Sequence, residues 1–421
     1  MPESAAVPLR YSELIRGNRN FRSLWFGSVV SLLGDWFNTI ALYTLVRELT
    51  GSAFALGAIL SVKLLPWALA SPFAGVLADR MDRRKLMIGA DLIRAVLVLG
   101  FLFVDEPGEV GWLYVLAALQ VIVGAVFQPA KNALLPRIVE RRGLVTANTI
   151  LSATWSTMLA VGAAAGGLAT DAFGRETVFL LDSLTYLVSA AFLWRLSVPP
   201  SDRDVGDAPL LESAIGQIVS GWRYLVRRPD VGRIALAKCM WTLGGGGLIY
   251  LATLAGEQLV EGRAALGIGL VFSARGLGTG FGPILARAWF KDQRAWPAVL
   301  GACIAASGLF YAQPGLWSVS LAMLAFVFAA HVASGANWVL STVLLQERAD
   351  DDFRGRVFAT QFLLLTLFET ISTLGASALI EAGMSLSTGF VVFGGFQIAC
   401  GVAWLALIVP RERNAPVTYA Q

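Results

Sequence analysis

Long apolar stretches, separated by short polar connections, dominate the pattern of residues along the chain. A helix needs about 20 apolar residues to cross a bilayer, and only helices or closed barrels satisfy the backbone there. We count twelve stretches of that length and predict an all-α membrane protein with twelve transmembrane helices. Their predicted bounds are 23–46, 53–78, 86–104, 110–128, 147–170, 176–196, 231–255, 264–286, 295–313, 315–338, 357–380 and 386–409.

The longest connection, 197–230, divides this pattern into six helices and six helices. It begins with the polar run SDRDVGDAP and continues as an amphipathic stretch. We predict an interfacial helix there, with an apolar face made by Leu211, Ile215, Ile218, Trp222 and Leu225. The predicted organisation is a cytoplasmic N-terminal segment (1–22), a six-helix bundle (23–196), a cytoplasmic linker (197–230), a second six-helix bundle (231–409) and a cytoplasmic tail (410–421).

The placement of charge supports this count of helices. Of the 33 Lys and Arg residues, 26 fall in the N-terminus, the even-numbered connections and the C-terminus or at the helix ends next to them. The odd-numbered connections and the adjoining helix ends carry nine acidic residues and only Arg47, Arg175 and Arg263. Since basic loops stay on the cytoplasmic side, we predict that both termini are cytoplasmic. A composition of 56% hydrophobic and 15% charged residues argues against a soluble domain.

Few side chains are suited to metal or redox chemistry. The three cysteines and the single histidine, His331, lie apart in apolar runs, which argues against a zinc site or a disulfide framework. The sequence lacks the GxxxxGK[ST] pattern of ATP-binding loops. We therefore expect no metal, no cofactor and no enzymatic activity, and we interpret His331 as a core residue more readily than as a proton relay.

The connection between the second and third helices reads GVLADRMDRRK over 75–85. It resembles the signature loop of major facilitator transporters, with Asp82 in place of the second glycine. The resemblance implies that Gly75 allows close helix packing and that Asp79 faces the N-terminus of helix eleven; a basic loop that only directs membrane topology is the alternative. The gating motif it implies comprises Gly75, Asp79, Arg80, Arg83, Arg84, Asp91, Arg94, Arg354 and Arg356.

The fifth helix contains Gly162, Gly166 and Gly167, a pattern that resembles the GPxxGG motif of antiporters with Ala163 in place of proline. Small residues also serve helix packing in general, so a packing role and a functional role remain equally open.

Further segments are GDWFNTIAL (34–42), DLIRA (91–95), PAKNALLP (129–136) and RGRVFA (354–359). They are similar to the enterobactin-exporter and macrolide-efflux proteins of the drug:proton antiporter branch, the transmembrane secretion effector type. This resemblance implies two six-helix bundles and a multi-pass location in the cell inner membrane. It also implies a small amphiphilic substrate, exchange for protons, contact with membrane lipids, no nucleic-acid partner and a monomeric chain.

Eight charged side chains fall inside the predicted helices, where each costs ~2.5–3.5 kcal/mol unless it is paired or meets water. At 1.5 Å per residue, five of them share a layer about 6 Å thick near the midplane: Asp35, Lys63, Asp182, Arg275 and Glu369. Transporters bind substrates and coupling ions at this depth. We therefore assign a proton-coupling and substrate cavity to Asp35, Trp36, Asn38, Lys63, Arg275 and Glu369.

Within this cavity, we interpret Asp35 as the proton-coupling carboxylate and Glu369 as the second. We expect Lys63 to pair with Glu369 across the two halves. Arg275 is a candidate for attracting an anionic substrate. The alternative is that these charges form static ion pairs, and we favour that for Asp91 with Arg94.

The leading functional interpretation is a proton-coupled exporter that works by alternating access. A lipid or lysophospholipid flippase on the same fold, and a non-transporting membrane receptor or scaffold, remain as alternatives.

Overall fold

The computed structural model describes residues 9–198, 210–317 and 319–413, and this part of the chain contains helices and no strands. The first eight residues, linker residues 199–209 and tail residues 414–421 lie outside the described residues. The helices of the first half are α1 (Tyr11–Gly17), α2 (Arg19–Thr50), α3 (Ala53–Val62), α4 (Leu65–Arg80), α5 (Arg83–Leu99), α6 (Val110–Gly124), α7 (Phe127–Ile138), α8 (Leu144–Thr157) and α9 (Ala163–Trp194).

The amphipathic helix α10 (Leu210–Arg227) precedes the second half. The helices of the second half are α11 (Pro229–Gly256), α12 (Ala264–Trp289), α13 (Trp296–Trp317), α14 (Met323–Arg348), α15 (Asp351–Glu381), α16 (Leu386–Leu407) and the short α17 (Val409–Arg413).

Eleven stretches of the described residues are long and apolar enough to cross a membrane. One of them, 141–194, is 54 residues long and covers both the fifth and the sixth predicted helices. Gly174 interrupts it with φ 80° and ψ 159°, a conformation that favours glycine. Gly166 packs on Phe37 of α2, and Asp182 packs on Gly34 only one turn away. The chain therefore reverses its direction at Gly174.

Close helix packing builds each half, and glycines permit much of it. In the first half α2 and α5 pack on α9, and in the second half α11 packs on α15, α12 on α14 and α13 on α16. The two halves meet where α12 packs on α9 and where α15 packs on α3. A glycine at the contact lets the backbone of a neighbouring helix approach closely. Because the hydrophobic effect does not hold helices together in lipid, this close packing stabilises their association.

The amphipathic helix α10 lies between the halves and contacts both α4 and α15. The Tyr224 ring stacks on Phe353 with centroids 4.6 Å apart, and Tyr224 and Leu225 are buried. Ile215 and Trp222, which we placed on the same apolar face, are instead about half exposed. The apolar side of α10 is thus divided between the bundle and the outside, as an interfacial helix requires. The side chain of Leu211 lies outside the described residues.

Two predicted boundaries were wrong for a common reason. Residues 129–136, expected in a loop, belong to α7, and the tenth helix begins at Met323 and ends at Arg348 rather than running over 315–338. Helix ends carry polar and charged residues where they leave hydrocarbon, so a count of apolar residues misses them. Leu316 and Trp317, the last two residues of α13, and Leu321, which lies before α14, extended the apparent apolar run.

The contact between α13 and α16 tests the role of glycine packing. A Cβ at Gly401 would overlap the backbone nitrogen of Ala305 and would lie 2.7 Å from the Gly301 oxygen. A Cβ at Gly395, on the same helix, would meet nothing within 4 Å. We expect Gly401→Ala to lower the free energy of unfolding by about 1–3 kcal/mol through overpacking, measured by thermal unfolding in detergent. An equal change in the matched control Gly395→Ala would contradict this account.

Candidate functional site

Asp35 lies in the middle of α2, and three groups of the first half surround it. The Tyr186 hydroxyl donates a hydrogen bond to Asp35 Oδ1. The Arg94 guanidinium lies 3.8 Å from Asp35 Oδ1 and hydrogen-bonds Asp91. It also lies 4.2 Å from the centroid of the Tyr186 ring. Asp91 is fully buried, whereas the Asp35 side chain keeps 33% of its surface exposed. Asp35 is thus the carboxylate of this cluster that solvent reaches.

A second chain of hydrogen bonds reaches the same tyrosine. Lys63 Nζ donates to Gln120 Oε1 over 3.4 Å, and Gln120 Nε2 donates to the Tyr186 hydroxyl over 3.0 Å. Lys63 caps the end of α3, and its side chain reaches α6 within the first half. The expected ion pair between Lys63 and Glu369 is therefore wrong: none forms within 4 Å among the described residues.

Asp182 and Asn38 complete the polar interior of the first half, and both are fully buried. The Thr185 hydroxyl donates to Asp182 Oδ1 over 3.3 Å, while Asp182 Oδ2 and the Asn38 amide have no hydrogen-bond partner among the described residues. Gly34 allows this arrangement, because a Cβ there would overlap Thr185 and Asp182. We name Asp35, Lys63, Asp91, Arg94, Gln120, Asp182 and Tyr186 the first-half charge cluster.

A smaller cluster faces it from the second half. Arg275 Nε donates to His331 Nε2 over 3.2 Å, and the Tyr311 hydroxyl lies 2.7 Å from the same nitrogen. Because Arg275 can only donate, His331 Nε2 accepts and the ring is neutral in this arrangement. Glu369 lies on α15 without an ion pair within 4 Å in the described residues, although the charge of Arg275 acts on it.

Aromatic rings connect the two clusters across the halves. Trp36, the neighbour of Asp35, packs on Phe272 of α12 with centroids 5.6 Å apart. Tyr43 packs on the same ring at 5.9 Å, and the Arg275 guanidinium lies 4.6 Å from its centroid. The region between the halves therefore combines aromatic surface with charges of both signs.

The gating-motif residues gather at the basic end of the bundle. Asp79 lies 3.9 Å from Arg83, whose guanidinium also donates to the backbone oxygens of Ala78 and Ala133. Arg84 donates to the Leu193 backbone oxygen over 3.2 Å. These arginines tie α4, α5, α7 and α9 together.

One expectation for this motif changes with the structure. A Cβ at Gly75 would meet nothing within 4 Å, so Gly75 does not serve close packing in this conformation. At the start of α15, Arg354 hydrogen-bonds Asp351 over 2.6 Å, and the Arg356 guanidinium lies 5.0 Å from the Phe353 ring. Arg80 lies in the last turn of α4. Whether Asp79 interacts with the α15 N-terminus stays a prediction.

The antiporter-like glycines all lie at close helix contacts. A Cβ at Gly162 would lie 3.2 Å from the Trp36 side chain, and one at Gly166 would lie 2.9 Å from the backbone of Phe37. A Cβ at Gly167 would overlap the backbone of Ala265 in the second half. A π-helical turn, Met158–Gly162, ends at the first of these glycines and distorts the helix next to Ala163, which stands where the motif usually has proline.

At the end opposite the basic loops, polar contacts join the two halves. Arg47 pairs with Glu257 over 2.9 Å, and Arg263 pairs with Asp171 over 2.6 Å. Glu381 accepts hydrogen bonds from the backbone N–H groups that start α3, at 2.8 and 3.1 Å. Burial raises the pKa of Glu257, and the Arg47 guanidinium opposes that rise. We name these contacts the acidic-end clamp.

Two helix bundles that meet across charged and aromatic side chains in the middle of the membrane are an arrangement typical of membrane transporters. The sequence profile of the Major Facilitator Superfamily matches residues 24–367, and the chain belongs to that family. It is a multi-pass membrane protein. No group of three or more His, Cys, Asp or Glu side chains suited to a metal ion occurs in the described part of the chain.

Several relatives are similar along nearly the whole chain. An uncharacterised transporter of this superfamily, YfiS of Bacillus subtilis, is 26% identical over 427 residues, covering 93% of this chain and 94% of the relative. The putative bacilysin exporter BacE of Bacillus amyloliquefaciens is 26% identical and covers 88% and 94%. Macrolide efflux protein A of Streptococcus pyogenes is 29% identical over 184 residues, 42% of this chain and 45% of the relative. The comparisons thus support a transporter with efflux proteins among its relatives.

Solved structures show the same fold at low identity. A mutant of the peptide transporter POT in complex with sulfate superposes with a TM-score of 0.78 at 15% identity and 97% coverage of both chains. The nucleoside transporter NupG superposes with a TM-score of 0.68 at 12% identity, covering 92% of this chain and 99% of the other.

The sequence interpretation missed three polar partners in the site: Tyr186, Gln120 and Tyr311. Each is a single polar residue within an apolar helix, and the sequence alone does not distinguish it from an ordinary buried residue. One signal was present, because Tyr186 follows Asp182 by four residues and so lies on the same helix face. Tyr186 reaches Asp35 only through the packing of α9 on α2, which no spacing along the chain reveals.

The buried pair of Asp91 and Arg94 yields a stability prediction. We expect Arg94→Gln to lower the free energy of unfolding by about 3–5 kcal/mol, because it leaves Asp91 charged and unpaired in the interior. The double variant Asp91→Asn/Arg94→Gln removes both charges and recovers part of this loss. Thermal unfolding in detergent measures both. A double variant as unstable as the single one would show that the pair is not the reason.

Proposed function

We propose that the protein is a proton-coupled exporter of small amphiphilic molecules, and that Asp35 carries the coupled proton. The observation that carries this proposal is the partial exposure of Asp35 in the middle of a membrane helix, between the hydroxyl of Tyr186 and the guanidinium of Arg94. A carboxylate in such a place exchanges protons with water and feels a change in either neighbour.

The neighbours of Asp35 supply a mechanism for coupling. When Asp35 is ionised, it accepts a hydrogen bond from the Tyr186 hydroxyl and attracts the Arg94 guanidinium. Protonation removes that attraction and leaves Arg94 to Asp91 alone. Because Trp36 and Phe37 continue α2 toward α12 and the antiporter-like glycines, a change at Asp35 is transmitted directly to the contact between the halves.

The acidic-end clamp supports alternating access. Its ion pairs join the halves at one end, while the Asp35 side chain remains reachable. We propose that this conformation opens toward the basic end and that the clamp breaks in the opposite conformation. Export follows when substrate enters from the basic, cytoplasmic side and leaves after the clamp opens.

The substrate class follows from the surface between the halves. Trp36 and the buried Tyr43 and Phe272 pack together between the halves and would offer aromatic faces when the halves separate, while Asp35 and Arg275 add one charge of each sign. A small molecule with an apolar body and polar or charged groups fits such a surface. Relatives named as exporters of bacilysin and macrolides agree with this class. Glu369 and Lys63 tune the charge of the cavity, and the chain needs no cofactor.

We further propose twelve membrane crossings with both termini in the cytoplasm of the cell and the protein in its inner membrane. The reversal at Gly174 divides the 54-residue stretch 141–194 into two crossings. The strong excess of Lys and Arg at one end sets the orientation. We propose that the protein works as a monomer, because a single chain contains both halves between which the substrate would bind.

Transport by Asp35→Asn tests the proton assignment. We expect proteoliposomes with wild-type protein to move a macrolide or bacilysin in response to a pH gradient. Asp35→Asn should lose that response by at least about tenfold, because an amide takes up no proton. Facilitated exchange without a gradient should persist.

The matched control is Asp352→Asn, an exposed carboxylate at the start of α15. It should transport as the wild type does. Gradient-driven transport that survives in Asp35→Asn would reject the role of Asp35, and a wild-type protein that moves neither probe nor any other amphiphile of a broad panel would reject the exporter.

Two glycines with open space around them report the orientation. A Cβ at Gly17, before α2, or at Gly108, in the loop before α6, would meet nothing within 4 Å. The three native cysteines are buried. We expect a membrane-impermeant maleimide to label Gly108→Cys in intact spheroplasts and to label Gly17→Cys only after lysis. The reverse pattern would overturn the proposed orientation.

A further inference from the structure

A cavity of about 590 Å³ lies apart from the transport site, at the basic end of the bundle between α2 and α9. Residues 19, 22, 23 and 26 form one face of α2 because they recur at helical spacing, and residues 192 and 195 do the same on α9. The lining consists of Arg19, Arg22, Ser23, Phe26, Phe192 and Arg195.

The packing of α2 on α9 gives the cavity fixed walls. A Cβ at Gly27 would lie 3.4 Å from the Phe192 Cβ, so glycine brings the helices together there. The rings of Phe26 and Phe192 stack with centroids 6.0 Å apart. Asn20 Nδ2 donates to the Ser197 backbone oxygen over 2.8 Å, and Asn20 Oδ1 accepts from the Ser197 N–H over 3.0 Å. These bonds hold the chain after α9 against the start of α2.

Positive charge at this cavity has no carboxylate partner among the described residues. Arg19, Arg22 and Arg195 form no ion pair with a carboxylate in the part of the chain that the structure describes. Arg22 donates to the Arg16 backbone oxygen over 3.3 Å. Arg84 adds a further positive charge nearby, since it donates to the Leu193 backbone oxygen. Guanidinium groups with free donors favour phosphate oxygens, which they bind in a forked geometry.

The aromatic residues identify the kind of phosphate. Phe26 is 39% exposed and lies two turns deeper along α2 than Arg19. An arginine rim above an exposed aromatic face matches a molecule whose anionic head sits at the membrane surface and whose acyl chains run inward. Basic pockets between membrane helices on the cytoplasmic side bind such headgroups.

We propose that this cavity binds the headgroup of an anionic phospholipid, with its phosphodiester held by Arg19, Arg22 and Arg195 and its chains lying against Phe26 and Phe192. The inference rests on the proposed orientation, which places the cavity in the cytoplasmic leaflet. The lipid joins α2 to α9, the two helices that carry Asp35 and Tyr186, and thereby stabilises the pair on which the charge cluster depends.

Native mass spectrometry of the purified full chain tests the proposal without reference to transport. The probe is phosphatidylglycerol, titrated into detergent-solubilised protein, with phosphatidylcholine as the neutral comparison. We expect one tight phosphatidylglycerol site whose affinity falls roughly tenfold in Arg19→Gln/Arg22→Gln/Arg195→Gln. The variant Arg19→Lys/Arg22→Lys/Arg195→Lys keeps the charge but loses the forked geometry, so it should bind more tightly than the Gln variant and less tightly than the wild type.

The matched control is Arg141→Gln/Arg287→Gln/Lys291→Gln, which removes the same charge from exposed positions outside the cavity. It should leave the tight site intact. An equal loss in the control would overturn the proposal in favour of general attraction by the basic end. Equal binding of phosphatidylcholine, or displacement of the lipid by sn-glycerol 3-phosphate at equal concentration, would also overturn it, the latter in favour of a free phosphate ester. Because binding in detergent does not depend on orientation or transport, a failure here leaves the exporter standing.

Discussion

The cost of charge in hydrocarbon is the constraint on which this structure depends. Asp91 and Arg94 are buried in the middle of the first half, and neither can stay charged there without the other. One terminal nitrogen of the Arg94 guanidinium hydrogen-bonds Asp91, and the other lies near Asp35. The static pair therefore provides a fixed positive charge beside a carboxylate that water still reaches. In this way a structural requirement of the membrane becomes the setting for the proton exchange that we propose.

Close backbone contact is the second requirement, and it connects the charge cluster to the movement of the halves. Glycines at 34, 162, 166 and 167 bring α2, α9 and α12 within reach of one another. The same helices carry Asp35, Tyr186 and Arg275, so a change of charge at Asp35 acts on helices that already touch at their backbones. The acidic-end clamp then adds ion pairs in a more polar setting, where each is weak enough to break during a transport cycle.

Most of the fold could be predicted from the sequence, while the partners within the site could not. Apolar length and charge placement located the membrane helices within a few residues, except where a helix ended in polar residues, as at Arg348 of α14. Depth along the helices brought Asp35, Lys63 and Asp182 to one layer, and the structure places their side chains in one cluster. Depth says nothing about direction around the helix axis, and for this reason Lys63 was assigned to Glu369 when it reaches Gln120 instead.

The sequence by itself determined that this protein lies in a lipid bilayer. It also determined the order of its apolar stretches and the asymmetry of its charge, because these follow from the local free-energy cost of placing each residue in lipid. It also determined that several charges must find partners inside the membrane. Only the tertiary structure decided which partners they have, since helix rotation and the glycine contacts choose among neighbours at equal depth. The reversal at Gly174, the hydroxyl of Tyr186 on Asp35 and the arginine-lined cavity between α2 and α9 all arise from that packing.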